Sequence, residues 1–452
     1  MGDVTATDQQ SGLDEDQLSE VVSTLLTHAR QSGADQAEAA ASHSLGLSAT
    51  ARLGDVESLE HTNDRGVGIT VYVGGCKASA STSDFSASAL AETVAKAMTF
   101  ARHTGSDDCA GLADAELMAG DDLPDLDLCH PWSLSVEDAI ALAIRCEDAA
   151  RAVDKRITNS EGATVATGIG ARAYGNSHGF LKSQMKTSHS VSCTVVGSHD
   201  DDMQRDYWYS VARNKDDLDD VAAVGRRAAE RTVRRLGARK IDTRTAPVVY
   251  VPELARGFVG HAIAAISGGA QYRRSSFLLD AAGEKLFPEF FSLQERPHLP
   301  RAMASAAYDN EGVATRDRDI VSDGRLDGYV LGSYSARRLG LTTTANAGGT
   351  HNLVVPGSHG TQDDLLREMG DGLLVSELIG QGANGVTGDY SRGAVGFWVE
   401  NGEIAYPVHE ITIAGNLRDL YLRIAAIGQD QDQRGGIRCG SLLVESMKIA
   451  GS

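Results

Sequence analysis

Aromatic side chains are scarce in this chain of 452 residues, at 5% of the total. No apolar run approaches the roughly 18 residues of a membrane span, so no transmembrane helix is expected. The six cysteines, Cys76, Cys109, Cys129, Cys146, Cys193 and Cys439, lie far apart without a C-x-x-C pair. That excludes a sequence-legible disulfide framework and suits isolated thiols in a reducing compartment. The acidic start, "MGDVTATDQQSGLDEDQ", has no apolar core, so no signal peptide is expected and the predicted location is cytoplasmic. Positive charge is short as well, with 42 Lys plus Arg against 62 Asp plus Glu and a net charge of −20. A nucleic-acid binder normally presents a basic face, whereas the densest basic cluster, Gly225 to Lys240, suits the solvated side of one helix. Direct nucleic-acid binding is therefore not expected. A Walker A sequence is also missing, which leaves nucleotide chemistry without support.

The length exceeds what one core usually holds, so at least two domains are predicted. Glycine is abundant, at 49 residues, which implies many tight turns and strand kinks. After a polar leader, predicted disordered over residues 1–17, Leu18, Val21, Val22, Leu25 and Leu26 recur at helical spacing, with Gly33 placed as a stop. Gly74-Gly75 marks a two-residue hairpin turn, and Ser135 with Asp138 forms a capping box ahead of a helix running to about Val153. Thr158 to Ser210 alternates like paired strands, and a long amphipathic helix follows up to Gly237. Ile241 to Pro247 marks the predicted boundary between an N-terminal domain, 18–240, and a C-terminal domain, 247–452. Pro252 can open a helix. Asn401-Gly402 between apolar alternations is the strongest hairpin signal in the chain. The predicted class is α+β in two domains, a mixed α/β N-terminal half and a β-rich, glycine-rich C-terminal half.

Several motifs look chemical until their surroundings are read. "GNSHG", Gly175 to Gly179, has the spacing of a nucleophile elbow, but strand-like sequence follows it where a helix is needed, which puts Ser177 at a hairpin tip. "GQGANG", Gly380 to Gly385, and "GIGARA", Gly168 to Ala173, have dinucleotide-type glycine spacing without a following helix, and both are predicted to be turns. His351, His359 and His409 show no ligand spacing to another His or Cys, and a buried inert thiol is the default for Cys439.

Long segments in order, among them "DRGVGITVYVGGCKASASTSD", "LSVEDAIALAIRCEDAARAVD", "LGSYSARRLGLTTTANAGGTHNLVV" and "CGSLLVESMKIAG", resemble the TldD/PmbA peptidase family, in its PmbA (TldE) branch, over about Leu18 to Ser452. The resemblance implies a partnership. A TldD-type subunit would carry zinc on a helix with H-E-x-x-x-H plus a C-terminal cysteine, and the pair would degrade unfolded peptides and trim leader peptides from modified antimicrobial peptides. Laid on "ARGFVGHA", the pattern sets Arg256 at the first histidine, Gly257 at the glutamate and His261 at the second histidine. A guanidinium has no lone pair to donate and glycine cannot act as a base. The implied chain has no catalytic residue and no metal of its own, with His261 the residual metal candidate and Cys439 in an uncertain register. Arg256 and His261 are then candidates for contact with a substrate or at an interface, Arg256 by holding a carboxylate. The glycine-rich β third would offer strand edges to extended peptides.

Two other functions compete. The chain could be a metallopeptidase by itself, using His261, Cys439 or the His351/His409 region, and could form a homodimer alone. It could also act indirectly on DNA gyrase or a toxin–antitoxin system, the route that the negative charge favours.

Overall fold

The computed structural model describes residues 13–451. It divides into two compact units, one built from residues up to Val196 with 205–230 and 307–315, the other from 197–204, 231–306 and 316 onwards.

Most of the leader predicted to be disordered lies outside the described residues. Within them, helix α1 (Glu15–Gln31) begins ahead of Leu18, the first apolar position of the periodic pattern. Asp14 is the reason: its Oδ1 accepts from the N–H groups of Asp16 and Gln17 at 2.9 and 3.1 Å, and Glu15 and Asp16 add negative charge at the positive helix end.

The first unit is built on strands β1 (Gln36–Arg52), β2 (Asp55–Val73), β3 (Cys76–Thr82), β4 (Ile157–Asn176), β5 (Leu181–His199) and β6 (Asp202–Ala212), in the order β3-β2-β1-β4-β5-β6. Helices α2 (Ala87–Ala101) and α3 (Val136–Arg151) complete it. The strands alternate. Ala37, Ala39 and Ala41 of β1 join Ile69 of β2, Leu25 of α1 and Val94 of α2 in one core, while the even-numbered residues of β1 face away. Each fully buried leucine or valine there contributes about 1.5–3 kcal/mol. Gly74 and Gly75 make the predicted turn, with φ of 58° and 78° between paired Val73 and Cys76, and at Ser135 the serine half of the capping box forms: its Oγ accepts from the Asp138 N–H at 3.0 Å and donates to Asp138 Oδ2 at 2.8 Å. Glu147, buried on α3, accepts from the N–H groups of Leu53 and Gly54 at 2.8 and 3.0 Å and so ties down the β1–β2 turn.

Helix α4 (Val221–Arg234) leads into the second unit, whose strands are β7 (Arg244–Tyr250), β8 (Leu293–Glu295), β9 (Arg318–Ser322), β10 (Arg325–Leu326), β11 (Leu353–Val354), β12 (Gly372–Ile379), β13 (Asp389–Glu400), β14 (Glu403–Asn416), β15 (Ile424–Ile427), β16 (Ile437–Arg438) and β17 (Leu442–Ala450). One sheet runs β10-β9-β8-β11-β16 and the larger one β14-β13-β12-β7-β17-β15. The larger sheet folds back on itself, because Thr412 to Ala414 of β14 also pair with Lys448 to Ala450 of β17. Asn401 and Gly402, with φ of 52° and 80°, turn β13 into β14 as the Asn-Gly pair predicts.

The predicted boundary, Ile241 to Pro247, runs directly into a strand. Arg244 onward is strand, paired with β17 from Arg244↔Ile449 inward. Pro247 fits because the ladder skips it, stepping from Ala246↔Met447 to Val248↔Val444, so no hydrogen bond is asked of its missing N–H.

Candidate functional site

Helix α5 (Pro252–Ala265) carries the stretch with the lost peptidase pattern. Pro252 starts it at a position that needs no N–H, and Ala255, Phe258, Val259, Ala262 and Ala265 form its buried stripe. Phe258 fixes its depth, with ring centroids 5.2 Å from those of Tyr250 and Tyr421.

Arg256 lies beside that stripe, and its Nη1 is 3.3 Å from Asp432 Oδ2 while its Nε donates to the Glu253 carbonyl at 3.2 Å. Asp432 is only 3% exposed, and Arg434 Nε donates to its other oxygen at 2.8 Å. Burial pushes the Asp432 carboxyl up, but the hydrogen bonds and charge of Arg434, with Arg256 behind them, outweigh it and hold the group below its ordinary 3.8. Glu253 extends the network through Arg231 Nη1 at 2.9 Å and, more distantly, Arg434 Nη2 at 3.9 Å. Glycine at 435 makes room for it, since a Cβ there would stand 2.8 Å from Arg256 Nη1. The position set at the first histidine of the pattern thus holds a guanidinium engaged by a carboxylate of its own chain.

Gly257 is exposed, and a Cβ on it would meet nothing within 4 Å. The surroundings of Gly257 have room for a side chain. His261 is half-buried with its ring edge toward Tyr390, centroids 5.9 Å apart. Burial, then the Arg392 charge, holds its pKa below the ordinary 6.5. A cation beside the imidazole also opposes a second, divalent one. Cys439 is fully buried, and burial assisted by the Asp430 charge pushes its thiol up to about 12. Among the described residues no three His, Cys, Asp or Glu side chains stand where they could hold a metal ion. On α5 itself, Arg256 and Gly257 offer a metal no ligand, which leaves His261.

The other candidates stay apart. His351 donates its backbone N–H to Glu295 Oε1 at 2.7 Å, with its ring Nε2 3.2 Å from the Ala345 carbonyl. His359 faces Glu368 at 3.5 Å, and the backbone of His409 binds Arg239. Ser177 occupies the β4–β5 hairpin tip as expected, its Oγ accepting from the Ala37 N–H at 3.1 Å. Gly380 to Gly385 form the irregular connection from β12 to β13. "GIGARA" corrects its reading: Gly168 to Ala173 lie inside β4, paired with β1, where glycines clear the sheet face and make no turn. At the edges of the sheets, β14 ends the order of the larger one with only Thr412 to Ala414 also paired to β17, and β3 and β6 end the N-terminal sheet. Sequence reasoning missed Asp432 and Arg434, for which the only signal was an acid-then-arginine pair just before Gly435-Gly436.

Residues 37–101, 129–236 and 243–451 match in turn the models for domain 1, the central domain and the C-terminal domain of the PmbA/TldA metallopeptidases. A chain of Escherichia coli O157:H7 described as metalloprotease PmbA is 49% identical over 434 residues, 96% of each chain. A homologue from Haemophilus influenzae is 48% identical over 439 residues, 97% of each. The crystal structure of a Bacteroides thetaiotaomicron protein described as a modulator of DNA gyrase matches with a TM-score of 0.91 at 28% identity, over 96% of this chain and 98% of that one. TldE of Thermococcus kodakarensis shares the fold, with a TM-score of 0.83 at 20% identity over 95% of this chain and 100% of that one. With three domain models in order and near-full-length relatives at almost half identity, the chain belongs to the PmbA/TldD metallopeptidase family, in its PmbA (TldE) branch.

Proposed function

We propose that this chain is the zinc-free subunit of a cytoplasmic TldD/TldE-type metallopeptidase complex, acting on unfolded peptides and on leader peptides of modified antimicrobial peptides. Zinc and the catalytic base belong to a TldD-type partner. The observation that carries the reading is the Arg256–Asp432 pair at 3.3 Å: a fixed cation stands where a ligand is needed, and its neighbour Gly257 has no side chain. A catalytic zinc site needs three protein ligands and an open position for water, and His261 alone falls short.

The test uses purified chain alone and mixed with a TldD-type subunit. Alone it carries no stoichiometric zinc and cleaves no unfolded peptide, and mixing yields a stable complex that does. Stoichiometric zinc in the isolated chain, lost in H261A together with peptide cleavage, would establish the alternative of an independent metallopeptidase, which the description of the relatives as metalloproteases favours.

A further inference from the structure

The face of the N-terminal sheet turned away from α1 and α2 carries a trough whose lining shares no residue with the α5 network. Two depressions of about 420 and 430 Å³ lie along it, one over Ala40, Gly68 and Arg172, the other over Gly46, Gly168 and Lys186. The register aligns the floor: Ala40 pairs with Gly68, Ser44 with Gly170 and Gly46 with Gly168. With so little side chain there, another main chain can approach the sheet closely. From Ala40, at the first depression, to Ser48, at the second, β1 spans about 26 Å at ~3.3 Å per residue, the length of an extended segment of about eight residues.

The charge on this face opposes that of the chain as a whole, which is −20. Lys186 and Arg213 line the second depression, and no Asp, Glu or aromatic residue does. Glu38 lines the first, but its two oxygens each accept a phenol hydroxyl at 2.9 Å, from Tyr72 and Tyr174. Glu60 and Asp64 stand on β2 opposite Ser48 and Ser44, outside both linings. Burial, followed by the charges of Arg213 and Arg172, holds the Lys186 ammonium down to about 8. An arriving carboxylate relieves that crowding of cations.

We propose that the trough binds an extended acidic peptide segment, its main chain over the glycine floor and its carboxylates toward Lys186 and Arg172. This rests on the reading of the chain as a peptide-handling subunit. A free oxyanion would satisfy the cations while leaving most of the length unused.

The probe is fluorescein-labelled hexaglutamate, followed by anisotropy with the full-length chain at physiological salt. G168L fills the trough without strain, since a Cβ at Gly168 comes no closer than 3.7 Å to its nearest neighbour, the Leu45 carbonyl. K186Q and G168L each weaken binding about tenfold, K186R keeps it within about threefold, and labelled hexaglutamine does not bind. Thermal melts confirm that each variant is folded. No binding by the wild type, equal binding by K186Q and G168L, or displacement by inorganic phosphate at equal concentration each overturns the proposal. Cleavage of a neutral peptide by the chain with a TldD-type subunit reads the subunit role separately, and that activity survives a failure of the trough alone.

Discussion

Arg256 and Asp432 come from a helix and from the irregular segment between β15 and β16, and they meet at 3.3 Å with the Asp432 side chain only 3% exposed. The carboxylate serves Arg434 as well. Removing it strands two guanidinium groups in a partly dry site, so D432A is expected to cost about 3 kcal/mol. Urea unfolding of the isolated chain checks this, and a loss below about 1 kcal/mol would put the network in the class of exposed surface pairs. Because the folded pKa of Asp432 lies below 3.8, its contribution is full above that pH and disappears as pH falls through the folded value.

At Gly257 the opposite sign is expected. The position is exposed, helical and open around a Cβ, so G257A gains about 0.5–1 kcal/mol from helix propensity. The gain appears as a raised urea midpoint. A destabilised G257A would mean that the missing side chain is needed for packing.

Glu147 holds two backbone N–H groups of the β1–β2 turn from a fully buried position. E147A leaves both donors unsatisfied, and the expected loss is about 3 kcal/mol. Hydrogen exchange at Leu53 and Gly54 should quicken in the same variant, and unchanged protection there would contradict the assignment.

His189 is buried with its ring nitrogens 2.8 Å from Thr167 Oγ1 and from the His130 carbonyl. Burial is the main cause that lowers its pKa below 6.5. The unfolded chain therefore takes up a proton that the folded one resists, so stability is full above about pH 6.5 and falls as pH drops below it. Unfolding midpoints at pH 7.5 and 5.5 give the slope, and H189N should flatten it. His261 adds a slope of the same sign, also from burial.

Gly225 brings α4 against α3, where an added Cβ would come within 2.0 Å of the Cys146 carbonyl oxygen. Backbone on both sides cannot step aside cheaply, so G225A is expected to cost about 1–3 kcal/mol. A neutral G225A, measured by thermal melting, would show that the helices can separate freely.

Local pattern alone determined a good deal of this protein. Leu18 to Leu25, the alternation of β4 to β6, Gly74-Gly75, Asn401-Gly402 and the Ser135 cap were all legible, because helix and hairpin preferences are set by neighbours a few residues apart. That Arg256 and Gly257 offer no metal ligand was legible too, since it depends on side-chain chemistry alone. Tertiary structure decided the rest. It made Arg244 to Pro247 a strand, placed "GIGARA" inside β4 and closed β14 onto β17, and each of these depends on which distant strand supplies the hydrogen bonds. It also chose Asp432 as the partner of Arg256 and lined up Gly46, Gly168 and Lys186 on one face. Such contacts join segments far apart in the chain, and they are selected by burial and strand register, which no short window of sequence contains.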